Sequence, residues 1–412
     1  MIEALEALDH DLEIGTCDTK RSIYSVPKTL GEINDWKWFE PRVVSIGHYH
    51  YEQRTADKSE EELMQNIRPL EDEARDYYSE AIESQFEFES ESESELGNDL
   101  FLKMLILDGC FILELFQILG KSRQTKSVLC DHPLSSMAWA IPHLYGDLLL
   151  LGNQIPFFVL EKLLETTKRH DDQDPLSLVA LRFFNKVMRR KEKELIKMSN
   201  DLNDSLHLLD MVRKSFIHDL YKQPFQPKSP ETVPVIYCVT KLIKAGIKIK
   251  PRKADSFLAV EFNNGVIEMP KITLDYFMQS FLVNCMAFEQ FHNESSKHIT
   301  VYAYFLDCIV TTAKDVDYLH ERDIINSYVG KNSEVVQFIN KLGMEIDVET
   351  DKFYLYNLFE KVNRRYKDKW KVYWHWYFKM PWSFISALAA VVMLVLTFLQ
   401  TSYTIYAYVN PK

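Results

Sequence analysis

The longest uninterrupted hydrophobic pattern lies at the C-terminal end of the chain. No Asp, Glu, Lys or Arg occurs from Met380 to Pro411, and the apolar run covers residues 384–409. As a helix, a run of this length crosses roughly 30 Å of hydrocarbon. A buried core helix is the alternative, but core helices of this length usually carry a stripe of charged residues. We therefore predict one C-terminal transmembrane helix over residues 384–409.

The chain before this helix has hydrophobic positions mostly at helical spacing. The run from Leu100 to Leu119 is nearly all apolar, but Lys103, Asp108 and Glu114 interrupt it. These charges favour a core helix of a water-soluble body over a second membrane span. Helical spacing predicts further helices over residues 60–78, 176–195, 201–220, 274–291, 299–317, 333–342 and 353–366.

One segment has the period of a strand instead. Apolar and polar residues alternate from Leu258 to Phe262, and Asn264 with Gly265 forms a typical hairpin turn sequence. The predicted fold class is therefore mostly α: a large helical body with a small antiparallel β-hairpin over residues 256–270 and one C-terminal transmembrane helix.

Composition shifts along the chain suggest how these elements are grouped. Four prolines between residues 222 and 234 indicate a linker, and the repeated Glu and Ser residues of 87–95 indicate a solvated acidic loop. The predicted segments are an N-terminal tail (1–20), a helical lobe (21–221) with the acidic loop (87–95), the linker (222–234), a second lobe (235–366), a basic and aromatic juxtamembrane segment (367–383) and the transmembrane helix (384–409).

The residues around the apolar run predict its orientation. Seven basic residues lie between Lys361 and Lys379, whereas only Lys412 follows the run. Basic residues favour the cytosolic leaflet and aromatic rings the headgroup zone, so we expect a single-pass protein with its body in the cytosol. Self-association through the helix is one role for its hydroxyl and small residues, and hydroxyls bonded to their own backbone are the favoured alternative. The residues predicted to anchor the chain in the bilayer are Trp374, Trp376, Trp382, Gln400 and Thr401.

Charge and cysteine usage exclude several classes of protein. The net charge is -12, from 60 acidic and 48 basic residues, so no basic field is available for nucleic acid. The six cysteines have no C-x-x-C spacing, which argues against zinc clusters and a disulfide framework. The N-terminus has no apolar run long enough for a secretory signal.

Candidate catalytic and metal-binding residues lack the spacing that such chemistry requires. His48 and His50 point the same way on a strand, but no third metal ligand is nearby in sequence. No nucleophile is paired with a base, and no glycine-rich phosphate loop is present. We therefore predict no catalytic, metal or cofactor site. The residues that an enzyme hypothesis would test are His48, Asp108, Cys110, His143, His207 and Glu289.

Several motifs, in order along nearly the whole chain, resemble the plant proteins that share domain of unknown function 247. The sequence departs from the family pattern at His48, where proline is usual, at His50 with Tyr51, where a His-Gly pair is usual, and at Gly152, where glutamate is usual. The motifs that carry the resemblance are Ile23-Tyr24-Ser25-Val26-Pro27, Val44-Ser45-Ile46-Gly47-His48-Tyr49-His50, Asp108-Gly109-Cys110, Asn153-Gln154-Ile155-Pro156, His207-Leu208-Leu209-Asp210, Ala287-Phe288-Glu289-Gln290, Asp315-Val316 and Pro381-Trp382.

The resemblance implies a mostly helical plant protein with a C-terminal membrane anchor and no established enzymatic activity. Some grass members look like pollen-side determinants of self-incompatibility, so recognition of another protein is the general role we expect. The leading hypothesis is a membrane-anchored, non-enzymatic interaction or signalling protein with an unidentified protein partner. An extracytosolic receptor for a secreted ligand, in which Asn203 and Asn293 would be glycosylated, and an unrecognised enzyme are the alternatives.

Overall fold

Helices provide most of the architecture. The computed structural model describes residues 21–24, 26, 28–46, 60–78, 91–120, 140–167, 174–218, 220, 233–328, 330–344, 350–368 and 381–409. The helices are α1 (Lys28–Asn34), α2 (Glu60–Ile67), α3 (Glu71–Asp76), α4 (Glu91–Gly120), α5 (Ile141–Asp147), α6 (Phe157–Thr167), α7 (Leu176–Met188), α8 (Glu192–Ser199), α9 (Leu208–Ile217), α10 (Val239–Lys244), α11 (Tyr276–Phe291), α12 (His298–Ile309), α13 (Ala313–His320), α14 (Asn332–Leu342), α15 (Tyr356–Lys367) and α16 (Pro381–Val409).

Short strands form two small sheets among these helices. In the first sheet β3 lies between β1, with which it is parallel, and β2, with which it is antiparallel; in the second, β4 and β5 are parallel. The strands are β1 (Lys248–Arg252), β2 (Glu261–Asn263), β3 (Val266–Pro270), β4 (Ile272–Leu274) and β5 (Ile325–Ser327).

The predicted hairpin is confirmed as β2 and β3, but it is shorter than residues 256–270. Asn264 (φ 51°) and Gly265 (φ 79°) both adopt positive φ, as the two central residues of a tight hairpin turn require. Residues 256–260 precede β2 in turns, and the apolar side chains of Leu258 and Val260 are buried there. Alternation in this part of the sequence therefore reflects burial and not strand pairing.

Two predicted helices are interrupted by backbone features that periodicity does not show. The helix over residues 176–195 is broken because Arg189 adopts a left-handed conformation (φ 55°) as the C-cap of α7. The helix over 201–220 begins only at Leu208, after a series of turns that ends in the N-cap residue His207. Both predicted spans are wrong at these points, since basic and polar residues continue the helical pattern across each break.

The predicted acidic loop over residues 87–95 needs a similar correction. Residues 87–90 lie outside the described part of the chain, and α4 begins at Glu91. Residues 91–95 therefore form the first turns of a helix. Acidic side chains are favourable at such a position because the N-terminus of a helix has a partial positive charge.

One hydrophobic core runs through the body. The buried apolar side chains from Ile23 to Val362 form a single cluster, so both predicted lobes contribute to the same core. Helix α11 lies at its centre, with 12 of its 16 residues buried, and contacts α5, α9, α12 and β4. Asp275 begins this helix by accepting a hydrogen bond from the Met278 amide at 2.9 Å. The predicted linker, apart from residues 233 and 234, lies outside the described residues.

Candidate functional site

Helix α16 is the first candidate site, because it is apolar and yet stands outside the core. Its 22-residue segment Ile385–Tyr406 has none of its central window buried. At a rise of 1.5 Å per residue this segment is about 33 Å long, close to the thickness of the hydrocarbon layer. Within the described residues, it is the one helix that is long and apolar enough to cross a membrane. The predicted apolar C-terminal helix is confirmed.

The polar residues of α16 bond within their own helix. The hydroxyls of Thr397, Thr401 and Thr404 each donate to the carbonyl four residues earlier, at 2.8 Å. Such a helix can face lipid on all sides without leaving a hydroxyl unsatisfied. Of the other predicted anchor residues, Gln400 is exposed on α16 and Trp382 lies in its first turn. Trp374 and Trp376 lie outside the described residues, and self-association stays a prediction.

A buried group of charges forms the second candidate site, within the body. The Arg213 guanidinium, on α9, donates to Asp210 at 3.0 Å and to Glu289 of α11 at 3.1 Å. Lys214 reaches the second oxygen of Asp210 at 2.8 Å. Burial by itself raises the pKa of Asp210, but Arg213 and Lys214 outweigh it and hold that pKa below its usual value. Asp210 is therefore an ionised partner of Arg213.

Glu289 connects this charge cluster to the start of α12. Its carboxylate accepts hydrogen bonds from the Ile299 amide at 3.2 Å and from the amide and hydroxyl of Thr300 at 2.8 and 2.7 Å. Carboxylates are favourable there because the first amides of a helix lack partners within the helix. Burial raises the pKa of Glu289, and Arg213 and Thr300 oppose this shift. All of its contacts are donors, so Glu289 acts as a cap and counter-ion.

His207 is the N-cap of α9 and has no freedom to exchange protons with a substrate. Its Nδ1 accepts from the Asp210 amide at 3.2 Å, and its Nε2 lies 3.1 Å from the Ser22 carbonyl oxygen. A carbonyl only accepts, so Nε2 bears the proton and the ring is neutral. Burial lowers the pKa of His207 to about 4, although Asp210 opposes this shift. The motif residues His207, Asp210 and Glu289 thus meet around Arg213, which sequence reasoning did not select.

The remaining enzyme candidates lie in other environments. Asp108 and Cys110 are on α4, where the intervening Gly109 packs against Leu163 of α6. Burial, with a smaller contribution from Glu114, raises the pKa of the Cys110 thiol and so disfavours the nucleophilic thiolate.

The histidine candidates outside α9 are equally separate from these groups. His143 is on α5, with its ring 5.6 Å from that of Tyr276. His48 and His50 lie outside the described residues. Across the part of the chain that the structure describes, no three His, Cys, Asp or Glu side chains are grouped to hold a metal ion.

A second polar cluster explains another sequence motif. The Asp147 carboxylate, at the end of α5, accepts from the amides of Arg42, Val43 and Val44 at 2.7–3.1 Å. Asn153 accepts from the Ile46 amide and donates to the Val44 carbonyl at 3.0 Å. These contacts fix the extended segment 42–46 against α5. Asp147 was not selected from the sequence, because its position inside an apolar run gave no sign of these distant amide partners.

A cavity of 780 Å³ lies beside the charge cluster. Arg213 donates to the Ser296 carbonyl at 3.0 Å, and Ser296 lines the cavity. His298, another lining residue, stacks on Tyr354 with ring centroids 4.8 Å apart, and burial lowers its pKa to about 4. The volume suits a small organic ligand. The cavity wall includes none of the described enzyme candidates. Its apolar lining residues are Leu220, Leu258, Val260, Phe262, Leu355 and Leu358.

Both glycosylation sequons lie at the surface of the body. Asn203 is exposed, and its amide oxygen accepts from the Ser177 hydroxyl at 2.8 Å. Asn293 is exposed in the turn between α11 and α12, where its carbonyl accepts from Lys352 at 2.9 Å. Surface position is compatible with either orientation across a membrane, so modification stays a prediction.

Comparison with known proteins gives a family match over most of the chain. The model of a family described as "Plant protein of unknown function", DUF247, matches residues 23–396. The UPF0481 protein At3g47200 of Arabidopsis thaliana is 32% identical over 95% of this chain and 87% of its own length. The putative UPF0481 protein At3g02645 of the same plant is 28% identical over 48% of this chain and 36% of its own length. No solved structure matches the chain.

Proposed function

This chain belongs to the plant DUF247 family of proteins of unknown function, and we propose that it is a single-pass membrane protein whose helical body binds another protein. In this proposal α16 crosses the bilayer, the body lies in the cytosol, and the protein works in recognition or signalling without catalysing a reaction. The membrane and the partner protein are the two binding partners.

The exposure of α16 supports the membrane anchor most directly. A continuous apolar surface of this size is unfavourable in water, where soluble monomers rarely expose more than a few hundred Å² of contiguous apolar area. All described side chains in the Ile385–Tyr406 segment are exposed or only partly covered, although the body has a large core against which an apolar helix could pack. A lipid bilayer is the environment that matches the length and composition of this helix.

The bonding of the polar motif residues supports a non-enzymatic role. Glu289 and Asp210 neutralise Arg213, and His207 is a neutral helix cap. These groups hold secondary structure elements together, and a catalytic group would instead need access to a substrate. The family motifs around them are therefore explained by the stability of the body.

A protein partner is supported by aromatic side chains on the surface of the body. Tyr328 is 83% exposed after β5, and Trp36 is 38% exposed near the start of the chain. Tyrosine and tryptophan are enriched at the centres of protein interfaces because they bury a large area at a small entropic cost. Recognition of another protein is also what the resemblance to grass self-incompatibility determinants suggests.

Membrane anchorage is tested by extracting membranes from cells that express the full chain with alkaline carbonate. The unmodified chain is expected in the membrane pellet. Leu394→Lys/Leu399→Lys places two charges near the centre of α16 and should move the chain to the soluble fraction, since each lysine costs about 3 kcal/mol there. Ile196→Lys, at an exposed apolar position on α8, is the matched control and should stay in the pellet. A soluble unmodified chain would refute the anchor.

Orientation separates the cytosolic interaction protein from the receptor for a secreted ligand. The full chain is expressed in plant cells and examined for a gel shift after enzymatic removal of N-glycans. We expect no shift, together with digestion of the body by protease added from the cytosolic side. A shift that Asn203→Gln/Asn293→Gln abolishes would place the body outside the cytosol and would favour the receptor alternative.

A further inference from the structure

The charge of the body is unevenly distributed near the end of α15. From Val233 to Ala254 the sequence contains six basic residues and no Asp or Glu, although the whole chain has a net charge of -12. This segment comprises α10 and β1. A second basic group, Arg364, Arg365 and Lys367, forms the last turn of α15.

The basic side chains of α10 and β1 point to solvent. Lys241 and Lys244 are three residues apart on α10 and so lie on one face of that helix, and both are exposed. Lys248 and Lys250 alternate with buried isoleucines on β1, which places both lysines on the outer face of the sheet. Glu268, the register partner of Lys250, is the acidic neighbour on this face.

Two contacts join these lysines to the basic turn of α15. Tyr237, just before α10, stacks on Tyr366 of α15 with ring centroids 4.1 Å apart, and Lys241 lies 5.5 Å from the Tyr237 ring centroid. The Arg365 side chain packs over Gly265, whose carbonyl accepts from the Lys248 amide at 3.0 Å. Arg364 is paired with Glu360 at 2.8 Å. We define the basic surface as Tyr237, Lys241, Lys244, Lys248, Lys250, Tyr366 and Lys367.

The path of the chain brings this surface to the bilayer. Helix α15 ends at Lys367 and α16 begins at Pro381. Thirteen residues, 368–380, connect the two helices, and even fully extended they span at most about 45 Å. These residues include three further lysines and several aromatic residues. The basic surface therefore lies at the membrane side of the body if α16 crosses the membrane.

We propose that the basic surface binds the headgroups of anionic phospholipids and holds the body against the membrane. This inference rests on the proposed membrane anchorage, and it concerns α10 and β1, which are more than 100 residues from α16 in sequence. An anionic leaflet attracts basic side chains within about a Debye length of its surface and repels the remaining, acidic body. Such opposite forces would orient the body with α10 and β1 towards the lipid.

The test uses the full chain in nanodiscs of phosphatidylcholine alone or of phosphatidylcholine mixed with phosphatidylserine. Lysines are labelled with an amine-reactive reagent and quantified by mass spectrometry. We expect labelling of Lys241 and Lys244 to fall about threefold or more in the anionic discs and to recover in about 1 M salt. Lys193 and Lys197, exposed on α8, should be labelled equally in both discs.

A pair of charge reversals makes the test specific. Lys241→Glu/Lys244→Glu should remove the lipid-dependent protection of Lys248 and Lys250, whereas Lys193→Glu/Lys197→Glu should leave it unchanged. Equal labelling of the basic surface in both discs would overturn the proposal, and so would protection that is independent of lipid charge. Failure of the chain to enter phosphatidylcholine discs at all would instead refute the membrane anchor, so the two failures are distinguishable.

Discussion

Helices α11 and α16 are both long and apolar, but their polar residues bond in opposite ways. In α11, Asn284 accepts from the Leu151 amide at 2.8 Å and donates to the Trp38 carbonyl at 2.8 Å. Glu289, one turn later, bonds to α9 and α12. In α16 the hydroxyls of Thr397 and Thr401 bond to their own helix. Polar groups therefore join α11 to the body and leave α16 independent of it.

This difference separates two kinds of apolar helix that hydropathy alone confuses. A buried polar group is costly unless it is bonded, so each polar residue of α11 requires a particular neighbour at a particular place. The polar residues of α16 require none. Substitutions of polar residues should therefore destabilise the body when they fall on α11, and have little effect on folding when they fall on α16.

The largest effect is expected for Glu289→Ala. This substitution leaves Arg213 buried with one carboxylate fewer and removes the acceptor of the Ile299 and Thr300 amides. Loss of one partner from a buried ion pair typically costs about 3–5 kcal/mol of unfolding free energy. Urea unfolding of the purified chain in a nonionic detergent, followed by circular dichroism, measures the change.

A surface ion pair provides the control for Glu289→Ala. Glu360 pairs with Arg364 on the exposed side of α15 at 2.8 Å, and Glu360→Ala should change stability by no more than about 1 kcal/mol. Equal effects of the two substitutions would show that the charge cluster does not hold α9, α11 and α12 together.

The arrangement of α11 and α16 was only partly predictable from the sequence. Apolar spacing predicted both helices, and the absence of charged residues from 380 to 411 distinguished α16. The hairpin was predictable because Asn264 and Gly265 are suited to positive φ. Each of these signals lies within a short stretch of sequence. The short parallel strand β5 gave no such signal, since its partner β4 is about 50 residues away.

The bonding partners of the motif residues were not predictable for the same reason. His207 and Glu289 were selected as titratable groups, but their roles depend on Ser22, Arg213 and Thr300, which are distant in sequence. A single sequence shows that a polar residue lies in an apolar run. It does not show which backbone amide or charged group meets that residue after folding.

The second prediction concerns pH, which should affect the body and not α16. His207 is neutral in the folded protein and its pKa is about 4 there, against about 6.5 in an unfolded chain. The unfolded state therefore binds more protons between these values, and stability falls as pH falls from 6.5 to 4. His207 contributes a loss of up to about 3 kcal/mol over this window. Urea unfolding at a series of pH values measures it, and carbonate-resistant association of α16 with membranes should not change.

Two substitutions separate the charge of His207 from its role as a cap. His207→Asn keeps a good N-cap for α9, and His207→Ala does not. Both should reduce the fall in stability between pH 6.5 and 4, while the alanine variant should be less stable by about 1 kcal/mol at pH 7. A fall in stability as steep as that of the unmodified chain in both variants would assign the pH dependence to other groups.

The smallest effect, and the most direct comparison of the two helices, comes from removing one polar side chain from each. Asn284→Ala leaves the buried Leu151 amide and Trp38 carbonyl without their partner, and should cost about 2 kcal/mol of unfolding free energy. Thr401→Ala removes a hydroxyl that bonds only to the Thr397 carbonyl in the same helix, so its effect should stay within about 0.5 kcal/mol. Urea unfolding in detergent measures both. A large loss of stability for Thr401→Ala would mean that α16 is part of the folded body, because a helix surrounded by lipid has no bonding partner there to lose.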